Sequence, residues 1–144
     1  MENTVFYVGA TRVTVPHAAA SQLPNDWRLA RSGRLNLLVI DTEGAAEDVL
    51  DSLLLDVDEP VATWRPGERL VLPQVPRAET IVLHDVGALP PDDQVRLLDW
   101  LERAAGRTHI VSTTHAPLLP RVQAGAFIDT LYYRLNTVCV DVNA

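Results

Sequence analysis

The stretch Thr-Ile-Val-Leu-His-Asp-Val-Gly-Ala-Leu-Pro-Pro, residues 80–91, decides the fold class of this chain. Its largely apolar start, Thr80–His84, is typical of a strand that is buried on both faces, as in parallel sheets. Pro90-Pro91 then opens a helix that we expect to run to about Ala105, because proline suits the first helical turn. A buried strand followed by a helix predicts one unit of a parallel sheet.

The same alternation extends on both sides of this stretch. Apolar runs predict further strands at Leu35–Ile40, Thr108–Ser112 and Thr137–Val142. Helical spacing of apolar residues predicts a helix within Gly44–Leu55. Two short helices or turns are expected at Pro117–Gly125 and Phe127–Arg134. The alternation favours an α/β fold, a three-layer sandwich with a mostly parallel central sheet.

The N-terminal segment has a different pattern. Thr4–Val8 and Arg12–Val15 alternate apolar and polar residues and predict a β-hairpin. A short helix is expected near Asp26–Arg31. We therefore predict one domain, in which residues 1–34 form the hairpin and short helix and residues 35–142 form the α/β core.

The middle of the chain, Asp56–Pro76, is rich in proline. Its two strand-like pieces, Val61–Trp64 and Arg69–Leu72, are separated by a turn at Pro66-Gly67. This order favours a hairpin between the two pieces.

The basic residues are all of one type: all 12 are arginine, and the sequence contains no lysine. This excludes a Schiff-base lysine and the phosphate-binding lysine of a P-loop. The formal net charge of -7 argues against binding to a nucleic-acid backbone. The single cysteine, Cys139, excludes an intramolecular disulfide. Since no apolar stretch approaches the roughly 20 residues that span a bilayer, we expect a cytoplasmic protein.

The candidate site follows the predicted strands, because open parallel sheets bind ligands beyond the carboxyl ends of their strands. After Ile40, residues 41–48 contain four carboxylates and one glycine. A phosphate loop needs several glycines, whose N–H groups close on the anion, and a lysine. This turn is therefore interpreted as an acidic strand-to-helix connection.

Histidine and hydroxyl side chains follow the next two strands, as His84-Asp85 and as Thr113-Thr114-His115. Hydrogen-bonded structural roles, including capping by the threonines, are favoured for these residues. The alternatives are a transition-metal site formed by His84, Asp85 and His115 and ligand binding by the threonine hydroxyl groups.

Aromatic rings and guanidinium groups occur together in Trp64, Arg65, Tyr132, Tyr133 and Arg134. Such mixtures are enriched at protein interfaces. Core aromatic residues beside solvated arginines are the alternative interpretation.

Two stretches resemble a known family. Thr80–Pro90 resembles the Walker B strand and following turn of the AAA+ domain in bacterial sigma-54 activators. Gly125–Val138 is similar to the segment that contains the trans-acting arginines of that domain. The resemblance extends over about Leu35–Val142. It implies a P-loop NTPase-like fold, here a truncated AAA+ core without the helical lid.

The sequence departs from the family pattern at the positions that hold and hydrolyse ATP. Glu47 falls where the family has the Walker A lysine, and Ala46 where it has a glycine. His84 and Asp85 take the places of the Asp-Glu pair of Walker B, and Thr114 takes that of the sensor asparagine. Because hydrolysis needs the lysine and both acids together, the resemblance implies degenerate Walker motifs and no ATPase activity.

The interface positions of the family are partly kept. Of its two interface arginines, the first position is Ile128 and the second is Arg134, which follows Tyr132 and Tyr133. The family loop that contacts the sigma factor has no counterpart, since the corresponding segment has shrunk to Asp56–Arg77.

We therefore expect a non-catalytic regulatory or interaction module in transcription regulation, without catalytic residues, cofactor or metal. Its partner would be another AAA+ activator, a sigma factor or a second copy of itself. Neither direct DNA binding nor membrane association is expected. Two alternatives stay open: a diverged nucleotide-binding protein in which Arg34 or Arg134 reaches the phosphates, and a small metal-dependent enzyme that uses His84, Asp85 and His115.

Overall fold

A computed structural model describes most of the chain. The described ranges are residues 3–8, 11–16, 27–33, 35–42, 44, 47–55, 57–73, 79–104 and 108–141, with the backbone alone for 3–16. Their strands are β1 (Asn3–Val8), β2 (Thr11–Pro16), β3 (Leu37–Ile40), β4 (Val61–Trp64), β5 (Glu79–Leu83), β6 (Thr108–Thr114) and β7 (Val138–Asp141). Their helices are α1 (residues 27–32), α2 (Glu47–Leu54), α3 (Pro91–Ala104), α4 (Leu119–Gln123) and α5 (Asp129–Leu135).

The strands form one sheet in the order β2-β1-β7-β3-β6-β5-β4. The five strands from β7 to β4 are parallel, and β1 and β2 are antiparallel to their neighbours. This confirms the predicted α/β class with a mostly parallel sheet. The N-terminal hairpin is also confirmed. Its strand β1 extends the sheet by pairing with β7 at the far end of the chain, which the local pattern did not predict.

Side chains alternate between the two faces of the sheet, and each face has its own core. Leu38 and Ile40 of β3 belong to one core, and Leu37 and Val39 belong to the other. The first, the α3-side core, includes buried side chains of α3 and α5. The second, the α2-side core, includes buried side chains of α1 and α2. Helices therefore cover both faces, as the apolar runs of the strands require.

The predicted hairpin between Val61–Trp64 and Arg69–Leu72 is wrong. Strand β4 pairs in parallel with β5, and residues 69–73 form no strand. Side chains of helix α3 donate hydrogen bonds to backbone carbonyl groups of this segment. Arg96 Nη2 donates to the Leu70 oxygen at 3.2 Å, and Trp100 Nε1 donates to the Pro73 oxygen at 2.7 Å. Leu70 is buried in the α3-side core. The segment thus follows the helix instead of returning along β4.

The other boundaries differ from the sequence predictions by a few residues. Strand β6 continues to Thr114, two residues beyond its predicted end. The predicted short helix near Asp26–Arg31 is present at residues 27–32, whereas Asp26, with which it was expected to begin, lies outside the described residues. In the described part of the chain, no helix is both long enough and apolar enough to cross a bilayer.

Candidate functional site

The carboxyl ends of four neighbouring strands border one cleft. It follows β3, β4, β5 and β6 and has a volume of about 220 Å³. Its lining residues are Asp41, Gly44, Glu47, Arg65, Pro66, His84, Asp85, Thr113, Thr114 and His115. Glu47, His84, Asp85, Thr114 and His115 therefore line the same cleft. The sequence analysis looked for a site at this edge, because open parallel sheets bind ligands beyond the carboxyl ends of their strands.

Glu47 lies at the centre of the polar contacts. It is the first residue of α2, and its Oε1 accepts a hydrogen bond from Arg65 Nη1 at 3.2 Å. The same oxygen is 3.7 Å from His84 Nδ1. The side chains of Glu47 and Arg65 are each about half exposed, so the ion pair lies at the mouth of the cleft.

His84 is buried at the end of β5, and its backbone N–H donates to the Trp64 carbonyl at 2.9 Å. Burial lowers the pKa of His84 below its ordinary value of 6.5, and the Arg65 guanidinium lowers it further. The Glu47 carboxylate opposes both effects by favouring the imidazolium, but the net shift is downward. The ring is therefore mainly neutral at pH 7.

Asp85 adopts a left-handed backbone conformation, with φ 48° and ψ 58°, which is uncommon outside glycine. Its N–H donates to Thr113 Oγ1 at 3.1 Å, which fixes this turn against β6. Its Oδ2 is 4.0 Å from Nε2 of His115, a side chain that is 70% exposed.

The candidate metal ligands do not share one centre. His84 faces Glu47, whereas His115 faces Asp85. Among the described residues, no three His, Cys, Asp or Glu side chains group together in a way that could hold a metal ion.

Cys139 lies buried in β7, and burial raises the pKa of its thiol to about 12, so it is a protonated core residue.

Thr114 joins two strand ends. Its carbonyl accepts from the Asp41 N–H at 2.8 Å, and its Oγ1 donates to the Ala116 carbonyl at 2.7 Å. The Ala116 N–H approaches the same hydroxyl at 3.4 Å. The hydroxyl thus organises the turn after β6, which is the capping role favoured from the sequence.

Arg65 is the cleft residue that the strand-end prediction missed. The sequence analysis named Arg65 only among the aromatic and arginine residues of a possible interface. It was not placed in the cleft, because Val61–Trp64 was assigned to a hairpin. Since β4 is parallel to β5, its carboxyl end lies at the same edge as those of the other parallel strands. A parallel assignment for β4 would have placed Arg65 in the cleft.

The candidate interface residues lie on α5, outside the cleft lining. The rings of Tyr132 and Tyr133 meet edge to face at 5.3 Å, and Tyr133 is 55% exposed. Arg134 is exposed, and its carbonyl accepts from Asn36 Nδ2 at 2.9 Å. Ile128 precedes the helix and donates its N–H to Gln94 Oε1 at 3.0 Å. Arg34 and Ala46 lie outside the described residues.

Comparisons with known proteins agree with this architecture. A family model described as the Sigma-54 interaction domain matches residues 17–144. The transcriptional regulatory protein ZraR of Klebsiella oxytoca is 31% identical over 124 residues, which cover 78% of this chain and 28% of that protein. The transcriptional regulatory protein GlrR of Escherichia coli K12 is 29% identical over 118 residues, which cover 74% of this chain and 27% of that protein. The chain thus spans under a third of the length of these relatives.

Solved structures show the same fold at low sequence identity. NtrX from Brucella abortus superposes with a TM-score of 0.70 at 17% identity, over 90% of this chain and 38% of that one. NtrX in complex with ATP superposes with a TM-score of 0.69 at 18% identity, over 89% of this chain and 36% of that one.

Proposed function

Because this chain belongs to the family of sigma-54 interaction domains, we propose that it is a non-catalytic module that regulates transcription through protein–protein contacts. The relatives ZraR and GlrR are named transcriptional regulatory proteins, which supports the assignment to transcription. The P-loop NTPase-like core would then serve as a scaffold for recognition, since a fold alone does not retain the chemistry of its relatives.

The observation on which the proposal rests is the Glu47 carboxylate at the start of α2. A helix that follows a strand in a parallel sheet offers its first N–H groups to an anion. Here the first residue supplies its own negative charge at that point, and the Arg65 guanidinium is paired with it at 3.2 Å. A triphosphate would meet a carboxylate where it needs a cation.

The residues at the end of β5 also argue against hydrolysis. His84 lies where a metal-binding carboxylate would be required, and imidazole is a poor ligand for Mg²⁺ compared with carboxylate oxygen. Its buried ring favours the neutral form. The Asp85 carboxylate is 4.0 Å from His115 Nε2, and the Asp85 backbone N–H is bonded to Thr113 Oγ1.

The partner we propose is another AAA+ activator, a sigma factor or a second copy of the chain, in the cytoplasm. Tyr133 and Arg134 on α5 are both exposed and offer an aromatic ring and a guanidinium group to a partner. These two residue types are enriched among the residues that dominate binding energy at interfaces.

Nucleotide binding without turnover is the rival function, since NtrX has been solved with ADP and with ATP. In this chain a nucleotide would depend on Arg65, which lines the cleft; Arg134 does not line it. Binding would require Arg65 to leave Glu47.

Calorimetric titration with ATP and Mg²⁺, together with a phosphate-release assay, tests the proposal. We expect no heat of binding up to millimolar nucleotide and no phosphate release. Saturable binding would replace the proposal with the rival function, and phosphate release would assign an enzyme. A pull-down with candidate activators and sigma-54, combined with gel filtration of the chain alone, tests the positive half; failure to bind any of them and to self-associate would remove it.

A further inference from the structure

The lining of the cleft has an excess of negative charge. It contains three carboxylates, those of Asp41, Glu47 and Asp85, and one guanidinium group, that of Arg65. With both histidines counted as neutral, the formal charge of these lining residues is -2. The guanidinium group is already paired with Glu47 at 3.2 Å. The field of the cleft therefore attracts cations and repels anions.

Two of these carboxylates have acceptor capacity that the described part of the chain does not use. The Glu47 carboxylate accepts one hydrogen bond there, from Arg65 Nη1. The Asp85 carboxylate accepts none there, and its Oδ2 is 4.0 Å from His115 Nε2, which is beyond hydrogen-bond distance. Since a carboxylate has about four lone-pair sites, both groups can accept further bonds from a ligand.

The ring of His84 lies in the wall of the same cleft and is buried, with 7% of the residue exposed. Its Nδ1 is 3.7 Å from Glu47 Oε1, which is longer than a hydrogen bond. The ring makes no hydrogen bond to any described residue. Because buried polar groups are normally hydrogen-bonded, the group that completes the bonding of this ring must come from the cleft.

The two hydroxyl groups of the lining bond to the protein itself. Thr113 Oγ1 accepts from the Asp85 N–H at 3.1 Å, and Thr114 Oγ1 donates to the Ala116 carbonyl at 2.7 Å. The groups left for a ligand are therefore mainly acceptors, since the lowered pKa of His84 keeps its ring mainly neutral. A positively charged N–H donor would satisfy both the charge and the acceptors, and such bonds are stronger than those between neutral groups.

The donor set and the volume of the cleft define the size and type of this cation. A metal ion does not fit, because the described residues contain no group of three His, Cys, Asp or Glu side chains that could hold one. The cleft has a volume of about 220 Å³. At about 30 Å³ for each water-sized group, this volume holds about seven such groups.

We propose that the cleft binds a small organic cation, a primary ammonium or guanidinium compound, that donates hydrogen bonds to Glu47, Asp85 and His84. The inference goes beyond the interaction function proposed above, because it gives the module a small-molecule ligand. It uses only the charge and the acceptors of the cleft. Failure of the pull-down would therefore remove the interaction function alone, and failure of the cation titration would remove this proposal alone.

Calorimetric titration of the full chain at low salt with butylammonium and with 1-butylguanidinium tests the proposal and separates the two cation types. We expect at least one of them to bind at a single site with a dissociation constant below about 1 mM. Tetramethylammonium is the matched probe, because it has the same charge and no N–H donor. We expect no saturable binding of this ion. Binding of neither donor cation, or equal binding of tetramethylammonium, would overturn the proposal.

Two substitutions that preserve side-chain size test the acceptors. Glu47→Gln and Asp85→Asn each remove one charge of the cleft, and asparagine tolerates the left-handed backbone of residue 85. Each should weaken binding of the preferred cation by about tenfold, because a unit charge within a few ångströms of the ligand is lost.

Glu102→Gln and Asp58→Asn are the matched controls, since they remove exposed carboxylates that do not line the cleft. Both should leave the affinity for the cation unchanged. Equal weakening in the controls and in the cleft variants would assign the binding to the net charge of the chain and overturn the proposed site.

The ring protons of His84 report binding at the site directly. In an NMR titration we expect their signals to move with the same dissociation constant as the calorimetry gives. At saturation the pKa of His84 should fall further, because a bound cation disfavours the imidazolium. The signals of His109, whose Nε2 is 2.6 Å from the Leu35 carbonyl outside the cleft lining, should not move. Binding that leaves the His84 signals unchanged would place the cation elsewhere and overturn the proposal.

Discussion

The Glu47 carboxylate and the Arg65 guanidinium are 18 positions apart in the sequence and form an ion pair of 3.2 Å at the mouth of the cleft. One comes from the start of α2 and the other from the end of β4. The pair places a negative and a positive charge at the edge where the parallel strands end, and Nδ1 of the buried His84 is 3.7 Å from the carboxylate oxygen. The charge at the mouth of the cleft is therefore determined by two side chains of this protein, Glu47 and Arg65.

Replacing Glu47 should make the cleft more receptive to anions. Glu47→Gln removes the charge that opposes an anion and leaves Arg65 without its partner. A unit charge a few ångströms away in a partly solvated site is worth on the order of 1 kcal/mol or more. We therefore expect about tenfold tighter binding of inorganic pyrophosphate than in the wild-type chain, measured by calorimetry at low salt.

The control for this change is Glu102→Gln, which removes an exposed carboxylate of α3 that does not line the cleft. It should leave pyrophosphate affinity unchanged. An equal increase in pyrophosphate affinity in both variants would show that net charge governs anion binding, and it would contradict a local role for Glu47.

The titration of His84 should respond in opposite directions to the loss of its two charged neighbours. Arg65→Gln removes a cation that lowers the pKa of His84, so the pKa should rise. Glu47→Gln removes an anion that raises the pKa, so the pKa should fall further below 6.5. The chemical shifts of the ring protons followed against pH give both values. Shifts in the same direction would mean that the two side chains act on His84 mainly by changing its burial.

The lowered pKa of His84 also predicts how stability depends on pH. The unfolded chain takes up a proton on this ring near pH 6.5, whereas the folded chain resists it until a lower pH. Protonation then favours the unfolded state, so stability is lost as the pH falls below 6.5 toward the folded pKa. Urea unfolding of the wild type and of His84→Gln at pH 7.5 and 5.5 measures this. The wild type should lose more stability between the two pH values than the variant does; equal losses would assign the effect to other groups.

The parallel strands were predictable because burial on both faces selects apolar runs, and the runs before Asp41 and His84 are clear in the sequence. The location of the polar residues that follow these runs was also predictable, because the carboxyl ends of parallel strands lie at one edge of the sheet. What the sequence did not show was which strands are neighbours. The pairing of β1 with β7 joins the two ends of the chain, and no local period reports such a contact.

The misassigned middle segment has a similar cause. Arg69–Leu72 has the composition of a strand, but the carbonyl groups of Leu70 and of the following Pro73 accept hydrogen bonds from α3 side chains 26 and 27 residues farther along. A pattern of apolar and polar residues reports burial, not the partner of a backbone group. The hairpin prediction also left Arg65 out of the predicted site, because it paired β4 with Arg69–Leu72 in antiparallel and did not place it parallel to β5.

Gln94 should be a stability determinant that links α3 to the start of α5. Its amide is buried: Nε2 donates to the Leu89 carbonyl at 2.9 Å and to the Ala126 carbonyl at 3.2 Å, and Oε1 accepts from the Ile128 N–H at 3.0 Å. Gln94→Leu keeps the approximate size of the side chain but leaves these backbone groups without their partner. Because each buried polar group without a partner costs about 1–3 kcal/mol, we expect a loss of about 3 kcal/mol in the free energy of unfolding.

The neighbouring Val95 gives the control for this prediction, since it is on the same helix and 59% exposed. Val95→Ser should change the free energy of unfolding by no more than about 0.5 kcal/mol. Gln94→Leu should also increase hydrogen exchange at the Ile128 N–H more than at Leu97, because it removes the acceptor of that amide while the α3 backbone keeps its own bonds. Urea unfolding and hydrogen exchange measure the two effects. A Gln94→Leu variant as stable as the wild type, with unchanged protection at Ile128, would show that the amide does not connect the two helices.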